Sequence, residues 1–198
     1  MGQSNINLAA LIGSRICHDL ISPIGAINNG MELLTMSGGG AGAELELINE
    51  SVEAATARIR YFRIAFGAAG EQMIRRSETM SILRDLYGTG RLDVSFAPLK
   101  SQPRTMLRLT FLGLMCLESA MPYGGEVQIL LNQGKWQLNG SAEKLNIDAP
   151  LWGLLKGQEQ QAELQPAHVQ FALLPQVAAD AGCDLRMLTD TQTVTLSF

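Results

Sequence analysis

The first long amphipathic pattern of this chain is ICHDLISPIGAINNGMELL, residues 16–34. At about 100° per residue, its large apolar side chains gather on one side of a helix. The stripe consists of Ala9, Ile16, Leu20, Ile24, Ile27, Met31 and Leu34. A helix with such a stripe needs a partner that covers it.

A second amphipathic pattern runs through residues 45–66, where apolar residues recur at alternating spacings of three and four. Its members are Leu45, Ile48, Val52, Ala55, Ile59, Phe62 and Phe66. The linker between the two patterns is SGGGAG, residues 37–42, which cannot continue a helix but can reverse the chain. We therefore predict a helical hairpin. Since two striped helices cannot close a core alone, we expect a homodimer with a four-helix bundle.

Helix and strand patterns alternate beyond residue 71. Helices are predicted at 77–87, 103–120 and 166–181, and strands at 92–96, 126–131, 135–139, 185–188 and 193–198. This succession predicts an α/β layer with a mixed sheet that is covered on one face. The fold class is thus α+β, with a hairpin domain over residues 1–70 and an α/β sandwich domain over residues 71–198.

The composition is that of a folded chain of 198 residues, 46% of them hydrophobic and 17% charged. A formal net charge of −4 is the wrong balance for neutralising phosphates, so no nucleic-acid partner is expected.

Three separated cysteines without a CxxC pair, and only two histidines, indicate a reducing compartment and no metal site. No run approaches the roughly 20 apolar residues that span a bilayer, and no export or lipid signal is visible at the start. We expect a cytoplasmic protein without membrane contact.

One histidine occupies the face of the first helix that lies opposite the apolar stripe. His18 points almost directly away from the stripe and shares its face with Ser14, Ser22, Gly25 and Asn29. A buried structural role is therefore excluded for this imidazole. The small side chains around it leave room for a large macromolecular partner to bring a reacting group close.

The residues beside His18 suit a nucleophilic imidazole. The adjacent carboxylate of Asp19 can accept a hydrogen bond from one ring nitrogen, which leaves a lone pair on the other. Arg15, one turn earlier, is placed to attract phosphate charge, and its position fits an ordinary exposed arginine equally well. Pro23 removes one helical hydrogen bond and is expected to loosen or bend the helix beyond the histidine.

The run His18-Asp19-Leu20-Ile21-Ser22-Pro23 resembles the H-box, the phosphoacceptor motif of dimeric histidine kinases. The wider string at residues 14–30, SRICHDLISPIGAINNG, is more similar to the ChpT-type histidine phosphotransferases of alphaproteobacteria. Residues 117–127, LESAMPYGGEV, are similar to the stretch of that family that corresponds to a kinase N-box and the strand after it. The resemblance implies that His18 is the phosphoacceptor, that Asp19, Ser22 and Arg15 act with it, and that Ser14, Gly25 and Asn29 meet the partner. Ser22 stands where kinases have Thr or Asn.

The resemblance also implies a C-terminal domain with the shape of a histidine-kinase ATPase domain but without its nucleotide chemistry. Met115 and Ser119 stand where a kinase has magnesium-binding asparagines, and the chain has no Asp-x-Gly-x-Gly turn. We therefore expect no cofactor and no metal ion bound by this chain. The magnesium ion would be supplied by the receiver domain of the partner.

The predicted function is histidine phosphotransfer in a two-component phosphorelay. His18 would accept a phosphoryl group from the receiver aspartate of a hybrid histidine kinase and pass it to the aspartate of a response regulator. In the family that the chain resembles, the donor is CckA-like and the acceptors are CtrA-like and CpdR-like. Two other functions stay open: an ATP-dependent sensor histidine kinase core with a divergent nucleotide site, and a non-catalytic scaffold that binds receivers.

Overall fold

The computed structural model describes residues 2–36, 42–68, 70–158 and 164–198. Two long helices open the chain, α1 (Gly2–Met36) and α2 (Gly42–Ala65), and they pack along one another as the predicted hairpin. The glycine-rich linker at 37–41 lies outside the described residues. Although α1 has 35 residues, no helix in the described ranges is both long and apolar enough to cross a membrane.

The two helices of the hairpin approach closely at Gly30. This glycine is buried, and a methyl group in its place would lie 2.6 Å from Cγ1 of Ile48 on α2. Pro23, seven residues earlier on the same side of α1, is buried as well. The helix remains one element through Pro23, so the loosening predicted there does not end it.

Part of each predicted stripe is buried inside the hairpin and part is not. On α1, Ile16, Leu20 and Ile27 are half-buried. Five other stripe residues are between 45% and 53% exposed, and we call them the exposed apolar face: Ile24, Met31, Leu45, Val52 and Ile59. The three on α2 are seven residues apart and therefore share one side of that helix.

The rest of the chain forms an α/β unit. Its helices are α3 (Arg76–Tyr87), α4 (Arg104–Ala120), α5 (Ala149–Leu154) and α6 (Val169–Asp180), the last preceded by a 3-10 turn at Pro166–His168. Its strands are β1 (Met73–Ile74), β2 (Leu92–Phe96), β3 (Gln102–Pro103), β4 (Gly125–Asn132), β5 (Lys135–Ser141), β6 (Arg186–Thr189) and β7 (Thr193–Ser197). Five strands form one sheet in the order β2-β4-β5-β7-β6, in which β2 and β4 are parallel and the other neighbours antiparallel. The predicted mixed sheet and the α+β class are confirmed.

Some details differ from the sequence-based expectation. The pattern does not predict α5, a six-residue helix whose N-cap, Asp148, accepts a hydrogen bond from the amide of Leu151. It also does not predict the antiparallel pair β1-β3, because two residues are too few for alternation. The helix expected from Pro166 begins as a 3-10 turn and becomes α-helical at Val169. Pro103 lies in β3 and precedes α4.

The last turns of α2 belong to the core of the α/β unit. The ring of Tyr61 stacks on Phe111 of α4 with centroids 4.5 Å apart, and the Tyr61 hydroxyl donates to the Phe111 carbonyl at 2.8 Å. The guanidinium of Arg108 donates to the carbonyl of Ala65, and Arg104 caps another carbonyl of the last turn in the same way. These contacts fasten the hairpin to α4.

Replacing Gly30 by alanine is expected to strain the hairpin, because the new methyl group would overlap Ile48. The matched control is Gly13→Ala on the same helix, where nothing lies within 4 Å of the added methyl group. Better helix propensity should raise the control's free energy of unfolding by about 0.5–1 kcal/mol. In urea unfolding we expect Gly30→Ala to be at least about 1 kcal/mol less stable than Gly13→Ala. Equal stability of the two variants would contradict the close approach.

Candidate functional site

His18 projects from the outer face of α1 into solvent. Its side chain is 82% exposed. Ser14, Ser22 and Asn29 on the same face are exposed as well, and Gly25 is half-buried with nothing within 4 Å of the place where a side chain would begin. The surface around the imidazole is therefore open to a large partner.

The imidazole is held by the carboxylate of the next residue. His18 Nδ1 lies 3.0 Å from Asp19 Oδ1. Since a carboxylate has no proton to donate, Nδ1 carries the hydrogen and donates it. The other ring nitrogen, Nε2, then holds the free lone pair. This is the tautomer in which a histidine can act as a nucleophile through Nε2.

Arg15 binds Asp19 and the α/β unit at the same time. Its Nε donates to Asp19 Oδ2 at 2.8 Å, and its Nη1 donates to the carbonyl of Ala167 at 2.6 Å. The arginine side chain is 17% exposed. Ala167 lies in the 3-10 turn before α6, so Arg15 ties α1 to the α/β unit beside the histidine. Its position in the sequence suggests attraction of phosphate, but the structure gives the guanidinium two other partners.

A cavity of about 320 Å³ opens beside His18, between the hairpin and the α/β unit. The four residues predicted to act in catalysis, Arg15, His18, Asp19 and Ser22, all line it from α1. Side chains from α2, α3 and α4 complete the lining, among them Arg58, Tyr87 and Glu118. The three predicted contacts of the partner, Ser14, Gly25 and Asn29, lie on the outer face of α1 and are not part of this lining.

Two half-buried acidic groups line the cavity on the side of the α/β unit. Burial raises the pKa of Glu118 above its usual value of 4.5, against the opposing effect of Arg15 and then Arg91. Burial also raises the pKa of Tyr87, and the charge of Glu118 raises it further. The Glu118 carboxyl therefore keeps its proton to a higher pH than an exposed glutamate does.

Several of the lining residues escape analysis of the sequence, among them polar or charged side chains on three helices. Arg58, Tyr87 and Glu118 come from three elements that only tertiary packing brings to His18. Glu118 lies inside the N-box-like run at 117–127, which is the one sequence signal for it. No local pattern distinguishes Arg58 or Tyr87 from other residues of their helices.

The two positions where a kinase has magnesium-binding asparagines take part in packing. Met115 is buried in the core, and it also lines the cavity. The hydroxyl of Ser119 donates to the Met115 carbonyl at 3.1 Å and accepts a hydrogen bond from the side-chain amide of Gln170 on α6 at 3.2 Å. Both side chains thus make contacts within the protein.

A family model, a curated protein and a solved structure that are similar to this chain are all described as phosphotransferases. Residues 76–193 match the family described as the C-terminal domain of histidine phosphotransferases. The protein phosphotransferase ChpT of Brucella abortus (strain 2308) is 36% identical over 131 residues, which are 65% of this chain. The chain spans 62% of the length of that relative. The solved structure of a bacterial phosphotransferase is similar over 97% of this chain and 95% of that one, with 29% identity and a TM-score of 0.81.

Replacing Glu118 by glutamine is expected to stabilise the protein at neutral pH, because it removes a charge that burial disfavours. A pKa raised on folding means that the folded protein binds this proton more tightly than the unfolded chain, so stability falls as the pH rises above 4.5. The gain in Tm from Glu118→Gln should therefore be larger at about pH 7 than at about pH 4. Glu46→Gln, at an exposed position of α2, is the control that should show no such difference. A pH-independent gain for Glu118→Gln would contradict the raised pKa.

Proposed function

Because this chain belongs to the family of histidine phosphotransferases, we propose that it carries phosphoryl groups on His18 between the receiver domains of a two-component phosphorelay. The proposal rests on one observation, an 82% exposed imidazole whose Nδ1 lies 3.0 Å from the Asp19 carboxylate. Such a ring presents the lone pair of Nε2 to an approaching protein.

The transfer is a displacement at phosphorus that needs no external base. Nε2 forms a bond to the phosphorus of an aspartyl phosphate while the P–O bond to the receiver's aspartate breaks, and that aspartate leaves as a carboxylate. The ring keeps its Nδ1 proton and becomes positively charged, and the hydrogen bond to Asp19 stabilises this charge. In the second half, the N–P bond breaks as an acceptor aspartate forms its own O–P bond, and Nε2 recovers its lone pair.

Positioning supplies much of the rate in this chemistry, because phosphoryl transfer passes through a loose, in-line transition state. Arg15 acts as a positioning residue, since it holds the Asp19 carboxylate that orients the ring. Ser22, one turn after His18 at the edge of the cavity, can donate its hydroxyl to a phosphoryl oxygen. The magnesium ion belongs to the receiver, and this chain contributes no cofactor.

The proposed partners follow from this chemistry. A phosphoryl donor must carry an aspartyl phosphate, as the receiver of a hybrid histidine kinase does, and the acceptors are the receivers of response regulators. Ser14, Gly25 and Asn29 meet the receiver, because their small side chains surround His18 on the outer face. The resemblance of residues 14–30 favours a CckA-like donor and CtrA-like and CpdR-like acceptors.

A second copy of this chain is the proposed cover of the exposed apolar face. Two hairpins that bury these faces against each other form the four-helix bundle expected from the stripes. Both His18 side chains remain outside such a bundle, since each lies opposite the apolar stripe of α1. A homodimer is therefore compatible with receiver docking at either histidine.

Incubation with a phosphorylated receiver is expected to label this protein with an acid-labile, base-stable phosphoryl group. His18→Ala should abolish the label, because it removes the nucleophile. Asp19→Asn keeps the shape but loses the carboxylate that holds the ring, so transfer should slow by about a hundredfold. The control is Asp93→Asn at an exposed position of β2, which should transfer at the wild-type rate.

The same assay separates the two other functions. Labelled ATP alone is expected to leave the protein unlabelled, and ATP-dependent labelling of His18 would identify an autokinase instead. A reconstituted relay that keeps full activity with His18→Ala would identify a scaffold.

The variant Val52→Arg is expected to be monomeric, because it puts a charge in the middle of the exposed apolar face. Glu53→Arg, at the neighbouring exposed position outside the stripe, should remain dimeric. Sedimentation velocity of the two variants and the wild type measures the difference. A monomeric wild type would contradict the proposed dimer.

A further inference from the structure

Phosphorylation of His18 creates an electrostatic problem in its surroundings. The new phosphoryl group carries negative charge beside the carboxyl groups of Asp19 and Glu118, which line the same cavity. Like charges this close repel each other unless a cation lies among them. Two arginines, Arg15 and Arg58, line the cavity and could supply that cation.

Arg15 is already engaged. Its Nε binds the Asp19 carboxylate and its Nη1 binds the Ala167 carbonyl, at 2.8 Å and 2.6 Å. A move of this guanidinium toward a phosphoryl group would weaken its hold on the carboxylate that orients His18. Arg15 therefore neutralises Asp19 and is a poor partner for the phosphoryl group itself.

Arg58 has no hydrogen bond to a carboxylate within the described residues, and its charge partly offsets the burial that raises the pKa of Glu118, which lines the same cavity. In the part of the chain that the structure describes, its guanidinium makes a long hydrogen bond from Nη1 to the Ala54 carbonyl of its own helix, at 3.4 Å. The other two arginines of α2 have carboxylate partners, since Arg60 binds Asp85 at 3.2 Å and Arg63 lies 3.7 Å from Glu78. Among the described residues, no carboxylate forms an ion pair with Arg58.

We propose that Arg58 binds the phosphoryl group while His18 carries it, a role that rests on the proposed function. A guanidinium suits this task, because its planar N–H groups can bind two phosphoryl oxygens at once. The same contact stabilises the transition state, in which charge spreads over the three equatorial oxygens. Arg58 comes from α2 and the nucleophile from α1, so the packing of the hairpin brings the cation and the nucleophile to one cavity.

The test uses the full chain and potassium phosphoramidate, a small phosphoryl donor that needs no receiver docking. Phosphorylation of His18 is followed in the wild type, Arg58→Gln, Arg58→Lys and Arg63→Gln. Arg63→Gln is the matched control, an arginine on the same helix whose side chain is exposed and outside the cavity. Far-UV circular dichroism and Tm verify that each variant is folded.

We expect Arg58→Gln to be phosphorylated about tenfold or more slowly than Arg63→Gln, the effect of one lost charge-assisted contact. Arg58→Lys should recover part of the rate, because it keeps the charge but not the planar fork. In ³¹P NMR titrations of the phosphorylated protein, Arg58→Gln should raise the pKa of the phosphohistidine, since a nearby cation disfavours its protonated form. This readout does not respond to a merely structural change in α2.

The outcomes separate this inference from the proposed function. If the wild type accepts phosphate on His18 while Arg58→Gln matches Arg63→Gln in rate and in the pKa of the phosphohistidine, the inference is wrong and the proposed function stands. If Arg58→Gln is slow with a phosphorylated receiver but normal with phosphoramidate, Arg58 binds the receiver and not the phosphoryl group, which also overturns the inference. If the wild type is phosphorylated by neither donor, the proposed function itself fails.

Discussion

The burial of the last turns of α2 in the core of the α/β unit is the constraint on which the site depends. Tyr61 stacks on Phe111, and two arginines of α4 donate hydrogen bonds to carbonyls at the end of α2. These contacts hold α2 against α4. Tyr61 also lines the cavity, so the same packing that joins the two parts of the chain forms one of its walls. The bond from Arg15 to Ala167 is a second tie, made from α1. These contacts fix both helices of the hairpin, and with them His18, against the α/β unit.

The charged residues that line the cavity have different effects on His18. In the proposed transfer, Asp19 selects the nucleophilic tautomer of His18, but its negative charge also opposes the arrival of a phosphoryl group. Arg15 offsets that charge while it orients the carboxylate. Burial moves the pKa of Glu118 upward, which lessens the negative charge near the histidine over part of the pH range. In the role that we propose for it, Arg58 is the cation that binds the phosphoryl group added during the reaction.

Local patterns predict most of the secondary structure because they reflect local physics. The hairpin follows from stripes at helical spacing, and β2 begins and ends at the predicted residues because its apolar ends are framed by turn signals. The elements that the pattern misses are the six-residue α5 and the two-residue strands β1 and β3, which are too short to repeat. Their existence depends on what they pack against. The exposed apolar face is predictable only in part. The sequence predicts the two stripes, but it does not predict which of their residues the other helix of the hairpin covers.

The sequence by itself determined the outward direction of His18, its carboxylate neighbour and the small residues around it, because all of these lie within a few turns of one helix and follow from its geometry. Only the tertiary structure decided what Arg15 binds, since its second partner, Ala167, lies 152 residues further along the chain. The same holds for Arg58, Tyr87 and Glu118, which line the same cavity as the histidine from three other helices. Helical periodicity defines directions within an element, whereas the choice between possible partners depends on how whole elements pack.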